Sequence, residues 1–303
     1  MTDKTVAIFG SGVAGLSAAL ELAQFDIPIK IIEKSDFTGG HAIQFACKAT
    51  DKCVKCGACL VEDKLNQALQ NSRIKILTGS RIESISKTER YAIRLNQKPK
   101  YIDAKKCNAC GACLYQCPQD GAIVQGTSRN HSPFFAINEK ECRYLVDQSC
   151  SLCQEACPEK AIALDVRGDQ VDCEADAIVW ATGFSLFNPQ NKPYGYGVFK
   201  NVVTNMELEG ILRREGRVIR PSDGQSARKI AFIQCVGSRD AKLDHLWCSK
   251  ICCGSALRMA GLINTKPPES EISFFYIDVQ TFGRDFIPFY RRVQEEVRMI
   301  RAI

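Results

Sequence analysis

Residues 4–33 change hydrophobic period twice, as a βαβ unit does. Val6-Ala7-Ile8-Phe9 is a short apolar run fit for a buried strand. Val13, Leu16, Ala19, Leu20 and Ala23 then fall at helical spacing, and Ile29 to Ile32 is the second strand, ending at Glu33. Residues 74–95 alternate in short bursts (Ile74, Ile76; Ile82, Ile85; Tyr91, Ile93, Leu95), which predicts strands of a small sheet or hairpin. Strand character returns at 171–183 and ends in Trp180-Ala181-Thr182-Gly183. The stretch 189–227 is polar and punctuated by Gly and Pro, with one helix expected at Met206–Arg214. A second α/β segment follows from Lys229: strand Ile230–Gln234, helix Lys250–Ile263, strand Ile272–Ile277 and helix Phe289–Met299. That unit is expected to break off unclosed at Ile303.

An internal repeat lies between these segments. Ile102-Asp103-Ala104-Lys105-Lys106-Cys107 recurs as Ile137-Asn138-Glu139-Lys140-Glu141-Cys142. Cys110, Cys113 and Cys117-Pro118 recur as Cys150, Cys153 and Cys157-Pro158, the second copy having gained five residues after its first Cys. Duplicated units of this size are supersecondary repeats. The pattern divides the chain into 1–98, 99–166, 167–227 and 228–303: a nucleotide-binding domain, an insertion, its return with a linker, and a partial second α/β unit.

Composition narrows the class. With 45% hydrophobic and 24% charged residues the chain reads as globular, and disorder, collagen and coiled coil are excluded. No apolar run approaches the ~18 residues of a membrane helix. The start lacks the basic and apolar regions of a signal peptide, so a cytoplasmic location is expected. Seventeen Cys in 303 residues is too few for a disulfide scaffold, and most lie in tight spacings that point to metal. The formal charge of +6 does not argue for nucleic acid. Four [4Fe-4S] clusters with their thiolates would carry about −2 each, bringing the total to about −2. The basic stretches 213–220 and 291–301 have few interleaved aromatics and read as solvated helix faces.

Gly10-x-Gly12-x-x-Gly15 follows a strand and opens a helix. The first Gly permits the tight turn, the second lets a pyrophosphate approach the backbone, and the third lets helix and strand pack closely. Glu33 and Lys34 follow where an acid meets the ribose hydroxyl. Gly39-Gly40 and Ala181-Thr182-Gly183, taken with this fingerprint, resemble the flavoprotein family that includes thioredoxin reductase. That resemblance implies FAD, with Gly10, Gly12, Gly15, Glu33, Lys34, Gly39, Gly40, Thr182 and Gly183 around it.

Cys107-x2-Cys110-x2-Cys113-x3-Cys117-Pro118 matches the bacterial ferredoxin run, in which the fourth Cys ligates the other cluster. One [4Fe-4S] cluster is therefore assigned to Cys107, Cys110, Cys113 and Cys157, and a second to Cys142, Cys150, Cys153 and Cys117. Cys47, Cys53, Cys56 and Cys59 form another quartet, fit for an iron–sulfur cluster or for zinc. Cys235, Cys248, Cys252 and Cys253 form a fourth, whose spacing alone suits buried free thiols as well as a cluster. Cys173 is left over, as a bystander in a strand.

Gln234-Cys235-Val236-Gly237-Ser238-Arg239 and Trp247-Cys248-Ser249-Lys250-Ile251-Cys252-Cys253 resemble segments of the A-type subunit of heterodisulfide reductase. The resemblance covers nearly the whole chain. It implies an α/β protein: a Rossmann-like FAD-binding domain with an inserted α+β two-cluster [4Fe-4S] ferredoxin module and a partial second α/β unit. It also implies a cluster on the fourth quartet, about four clusters in all, and electron transfer between flavin and clusters, in some members by bifurcation. The implied partners are the other subunits of such a complex and a ferredoxin, hydrogenase-type or quinone-linked redox protein. Two positions depart from the pattern. Arg258 stands where a Lys near the flavin is common, and His41 follows Gly39-Gly40 where Arg is frequent. The family's proteins are longer, so this chain reads as truncated.

Two rivals carry different expectations. A nicotinamide-dependent flavin oxidoreductase, like the small subunit of glutamate synthase, needs a second Gly-rich turn, and Cys235-Val236-Gly237 stands there instead. An assembly subunit with structural clusters would hold no reducible flavin. His41, His131 and His245 are too scattered for a zinc hydrolase.

Overall fold

The computed structural model describes residues 4–50, 53, 56–127, 134–280, 283 and 286–302, so His131 and Ile303 fall outside it. The chain divides into two units. The first is Met1–Ile43 with Cys59–Gly183, and the second is Gln44–Ala58 with Phe184–Ile303.

The first unit begins with β1 (Val6–Phe9), α1 (Val13–Ala23) and β2 (Ile29–Ile32). It continues with α2 (Leu60–Gln70), β3 (Ile74–Leu77), and the antiparallel pair β4 (Ser80–Lys87) and β5 (Tyr91–Gln97). The inserted module holds α3 (Ala112–Gln116), β6 (Ile123–Gln125), β7 (Phe135–Ile137), α4 (Arg143–Asp147) and α5 (Leu152–Glu155). The return supplies β8 (Asp169–Ala175) and β9 (Ala177–Trp180).

A parallel sheet in the order β3-β2-β1-β9 sits at the centre, so the returning strand lies directly beside the first. Strands buried on both faces read as continuous apolar runs, as Val6–Phe9 does and as Ile29–Ile32 does save for half-buried Lys30. One face is covered by α1 and α2, where Leu16, Ala19, Val61 and Leu65 pack on Ile8, Ile29 and Ile31. The antiparallel sheet β4-β5-β8 covers the other, packing Ile93, Leu95 and Ala175 against Ala7, Phe9 and Ile32. Cys173 is one of these core side chains. α2 is absent from the predicted elements. Its buried positions Val61, Leu65 and Ala68 make a narrow stripe, and no side chain caps its start at Cys59.

The module closes on its own core, in which Ile102, Phe135, Ile137 and Ile162 meet. A bridge between Ile102 and Ile162 ties its two ends, and β6 pairs with β7.

The second unit holds α6 (Asn205–Glu215), β10 (Lys229–Ile233), α7 (Cys252–Asn264), β11 (Glu271–Tyr276), α8 (Phe286–Glu296) and β12 (Arg298–Arg301). β10, β11 and β12 form a parallel sheet in that order. Thr204 and Glu207 close a capping box at the start of α6. Farther along that helix, buried Glu209 accepts from the amide of Ala46 and from Lys48, fixing the segment 44–48 to this unit.

The expected helix Phe289–Met299 is displaced. α8 starts earlier because Pro288 stands in its first turn, where a missing N–H costs nothing. It ends at Glu296, because Arg298-Met299-Ile300-Arg301 pairs with Ser273–Tyr276 as a third strand. Among the described residues no helix is long and apolar enough to cross a membrane.

Candidate cofactor sites

The turn after β1 is built by close backbone approach. Gly10 has φ +108°, and a Cβ there would lie 2.3 Å from the carbonyl oxygen of Ala181. A Cβ on Gly15 would lie 1.9 Å from the Gly10 oxygen, so helix and strand touch through bare backbone. Gly39 (φ +97°) donates its amide to the Ser11 carbonyl at 3.0 Å. Gly40 (φ +59°) faces Gly12, whose Cα would be 3.0 Å from an added Cβ. Three segments far apart in sequence therefore meet at one turn: 10–15, 39–40 and 181–183. α1 starts at Gly12 with no side-chain cap, leaving its first amides open to an anion.

Glu33 is buried here and held through both of its oxygens. One carboxylate oxygen accepts from the amide (2.8 Å) and hydroxyl (2.7 Å) of Ser11. The other accepts from the amide and hydroxyl of Ser35, both at 2.9 Å. These serines are absent from the predicted site residues. Their only signal is a hydroxyl inside the Gly-rich turn and another two residues past the acid. Lys34, Thr182 and Gly183 are exposed, and His41 is half-buried. The open helix terminus, the crowded glycines and the pinned acid fit a dinucleotide.

In the inserted module Cys107, Cys110 and Cys113 line one cavity together with Cys157 from the second half of the repeat. Burial pushes the Cys113 thiol up to about 11, with charge on Cys107, Cys110 and Cys157 adding to the shift. The other half mirrors it. Burial pushes Cys153 up to about 11, and the nearby charges are those of Cys142, Cys117, Cys113 and Cys150. The Cys157 sulfur accepts the amide of Ala161 at 3.3 Å. Four neighbouring thiols that repel as thiolates call for a cation among them. Among the described residues no three Cys, His, Asp or Glu converge tightly enough to share one metal ion. Thiolate-only sets suit zinc or iron–sulfur, and wider spacing suits a cluster whose ligands hold separate corners.

Cys47, Cys53 and Cys59 are exposed and Cys56 is half-buried, with Cys59 at the start of α2. The fourth quartet gathers at the start of α7. Cys235 has φ +59°, and burial pushes its thiol up, with Cys252 and Cys248 adding charge. Cys252 is pulled down, first by the thiol of Cys253, which is correspondingly raised. Ser249 donates its hydroxyl to the Cys252 sulfur at 3.4 Å, and the Lys250 amide donates to the Cys248 sulfur at 3.3 Å.

Residues 8–62 match the NAD(P)-binding Rossmann-like domain. Over 319 residues of alignment the chain is 31% identical to the A-type subunit of the H2:CoB-CoM heterodisulfide, ferredoxin reductase of Methanothermobacter marburgensis, covering 99% of this chain and 48% of that one. It is 33% identical to the A-type iron-sulfur subunit of the CoB–CoM heterodisulfide reductase of Methanocaldococcus jannaschii, covering 99% and 48%. The chain matches A-type subunits of heterodisulfide reductases over nearly the whole of its own length. It spans about half the length of these relatives. Among solved structures, thioredoxin reductase of Lactococcus lactis aligns over 98% of this chain and 64% of its own, at 12% identity and a TM-score of 0.48.

Arg258 lies on α7. Its guanidinium lies over the rings of Phe286 and Phe289, at 5.6 and 5.3 Å. One terminal nitrogen donates to the Gly254 carbonyl at 3.1 Å, and its buried Nε has no partner.

Proposed function

We propose that the chain is an electron-transfer part of a cytoplasmic heterodisulfide reductase-like complex, with one FAD and four [4Fe-4S] clusters. Bound FAD would supply two-electron chemistry and the clusters one-electron steps. The observation that carries this reading is the cavity shared by Cys107, Cys110, Cys113 and Cys157, a ferredoxin ligand set completed across the repeat.

This chain's own residues would hold and separate these groups. The Gly10–Gly15 turn and the first amides of α1 would take the pyrophosphate, and Glu33, held by Ser11 and Ser35, the ribose. Cys117, Cys142, Cys150 and Cys153 would hold the module's second cluster. Cys47, Cys53, Cys56 and Cys59 would hold a third, and Cys235, Cys248, Cys252 and Cys253 a fourth. Electrons would arrive from the other subunits or from a ferredoxin, hydrogenase-type or quinone-linked partner.

The turn after β10 supports cluster entry over nicotinamide entry. A Cβ on Gly237 would lie 2.2 Å from the Phe187 ring, so a side chain already fills the space over that glycine.

The test is cofactor content after anaerobic purification. One FAD and about 16 iron per chain are expected. About 8 iron would limit the clusters to the ferredoxin module. Zinc with no flavin would overturn the reading.

A further inference from the structure

The second unit holds a cleft of about 670 Å³ along α7 and α8. This is the size of a small-molecule site. Arg258 reaches it from α7, Lys266 from just past the end of that helix, Arg292 from α8, and Lys48 from the segment packed beside them. Lys48 is already neutralised by buried Glu209. Among the described residues, Arg258, Lys266 and Arg292 make no ion pair, and Glu296 is the one carboxylate in the lining. Three cations against one carboxylate leave two positive charges in the cleft.

The arginines are placed rather than loose. Arg258 and Arg292 both lie over the Phe289 ring, at 5.3 and 5.8 Å. The aromatic face holds guanidinium planes in a fixed orientation without consuming their donors. The Arg258 Nε is buried without an acceptor, which is costly unless something supplies one. Leu262, Phe289 and Val293 give the same cleft an apolar side.

We propose that this cleft binds a small organic phosphate. The phosphoryl dianion would sit on Arg258, Arg292 and Lys266, and the apolar body against Phe289, Leu262 and Val293. A dianion matches the surplus charge, and guanidinium forks pair with phosphate through two parallel hydrogen bonds. Of the residues the proposal uses, only Arg258 has been placed near the flavin, by resemblance; Arg292, Lys266 and the apolar side are assigned to neither flavin nor clusters, and the test keeps FAD bound so that the two sites are distinguished.

The probe is phenyl phosphate, titrated calorimetrically into the full chain with its FAD bound, at physiological salt. Saturable binding with Kd at or below about 1 mM is expected, with inorganic phosphate weaker and phenol giving no signal. Arg292→Gln and Lys266→Gln should each weaken binding by about tenfold. Arg220→Gln, which breaks a pair with Asp223 outside the cleft, should leave binding unchanged. Lys266 is exposed, so its variant keeps the fold even if Arg292→Gln does not. No saturation by about 10 mM would overturn the proposal. So would equal affinity in the parent and the Lys266→Gln variant. Binding seen only after FAD is stripped would also overturn it, assigning the cleft to the flavin.

Discussion

Gly15 leaves no room for a methyl group. Its missing Cβ would lie 1.9 Å from a backbone oxygen, and backbone cannot swing aside as a side-chain end can. Gly15→Ala is therefore expected to force α1 off β1, at a cost of roughly 1–3 kcal/mol, and to reduce flavin retention. A melting curve read beside the absorbance of bound FAD checks both. Two cysteines give a contrast at the same scale. Cys142 is among the charges around Cys153, whereas Cys173 packs with Ile93, Leu95 and Ala175. Cys142→Ser should remove or alter one cluster's EPR signal, and Cys173→Ser should leave every signal intact. The reverse result would overturn the ligand assignment. Glu33 shows where sequence reading stops at this scale. The acid is legible from its place after a strand, but the four hydrogen bonds that pin it come from serines whose meaning exists only once the turn has folded.

Elements were legible where one period ran unbroken. β1, α1 and β2 follow the apolar pattern because both faces of those strands are covered. α2 was hidden by its narrow stripe and its Cys-rich entry, and β12 by four residues whose strand identity comes from pairing with β11. The inserted module's helices, four or five residues each, carry little period of their own and are absent from the predicted elements; the cysteine spacing located the module but not its helices. Strand ends carry a pH signature. The Asp176 carboxylate accepts from the Thr5 amide at 2.7 Å and from Arg90 at 3.1 Å, joining the starts of β1 and β9. The amide above all, with Arg90 assisting, lowers its pKa below the ordinary 3.8. A folded pKa below the unfolded one contributes stability above about pH 4, lost as pH falls through the folded value. Asp176→Asn should therefore lower the melting temperature at pH 7, by an amount that shrinks as the solution is acidified. A constant difference at all pH values would show that the charge is irrelevant.

At the scale of the molecule, electrons have an expected point of entry. The chain alone should not oxidise NADH or NADPH at a useful rate, because Cys235 and the Phe187-covered Gly237 stand where a nicotinamide pyrophosphate would need open glycine backbone. Stopped-flow mixing under anaerobic conditions checks this, and fast flavin bleaching by NADH would refute it. The fourth quartet was not legible from spacing. Adjacent cysteines suit a core as well as a metal, and it took the likeness to known segments to give them a role. Cys157 reaches from the second half of the repeat into the cavity of the first. On the proposed ligand assignment each copy holds a piece of its sibling's socket, so deletion of either would leave the survivor one thiolate short.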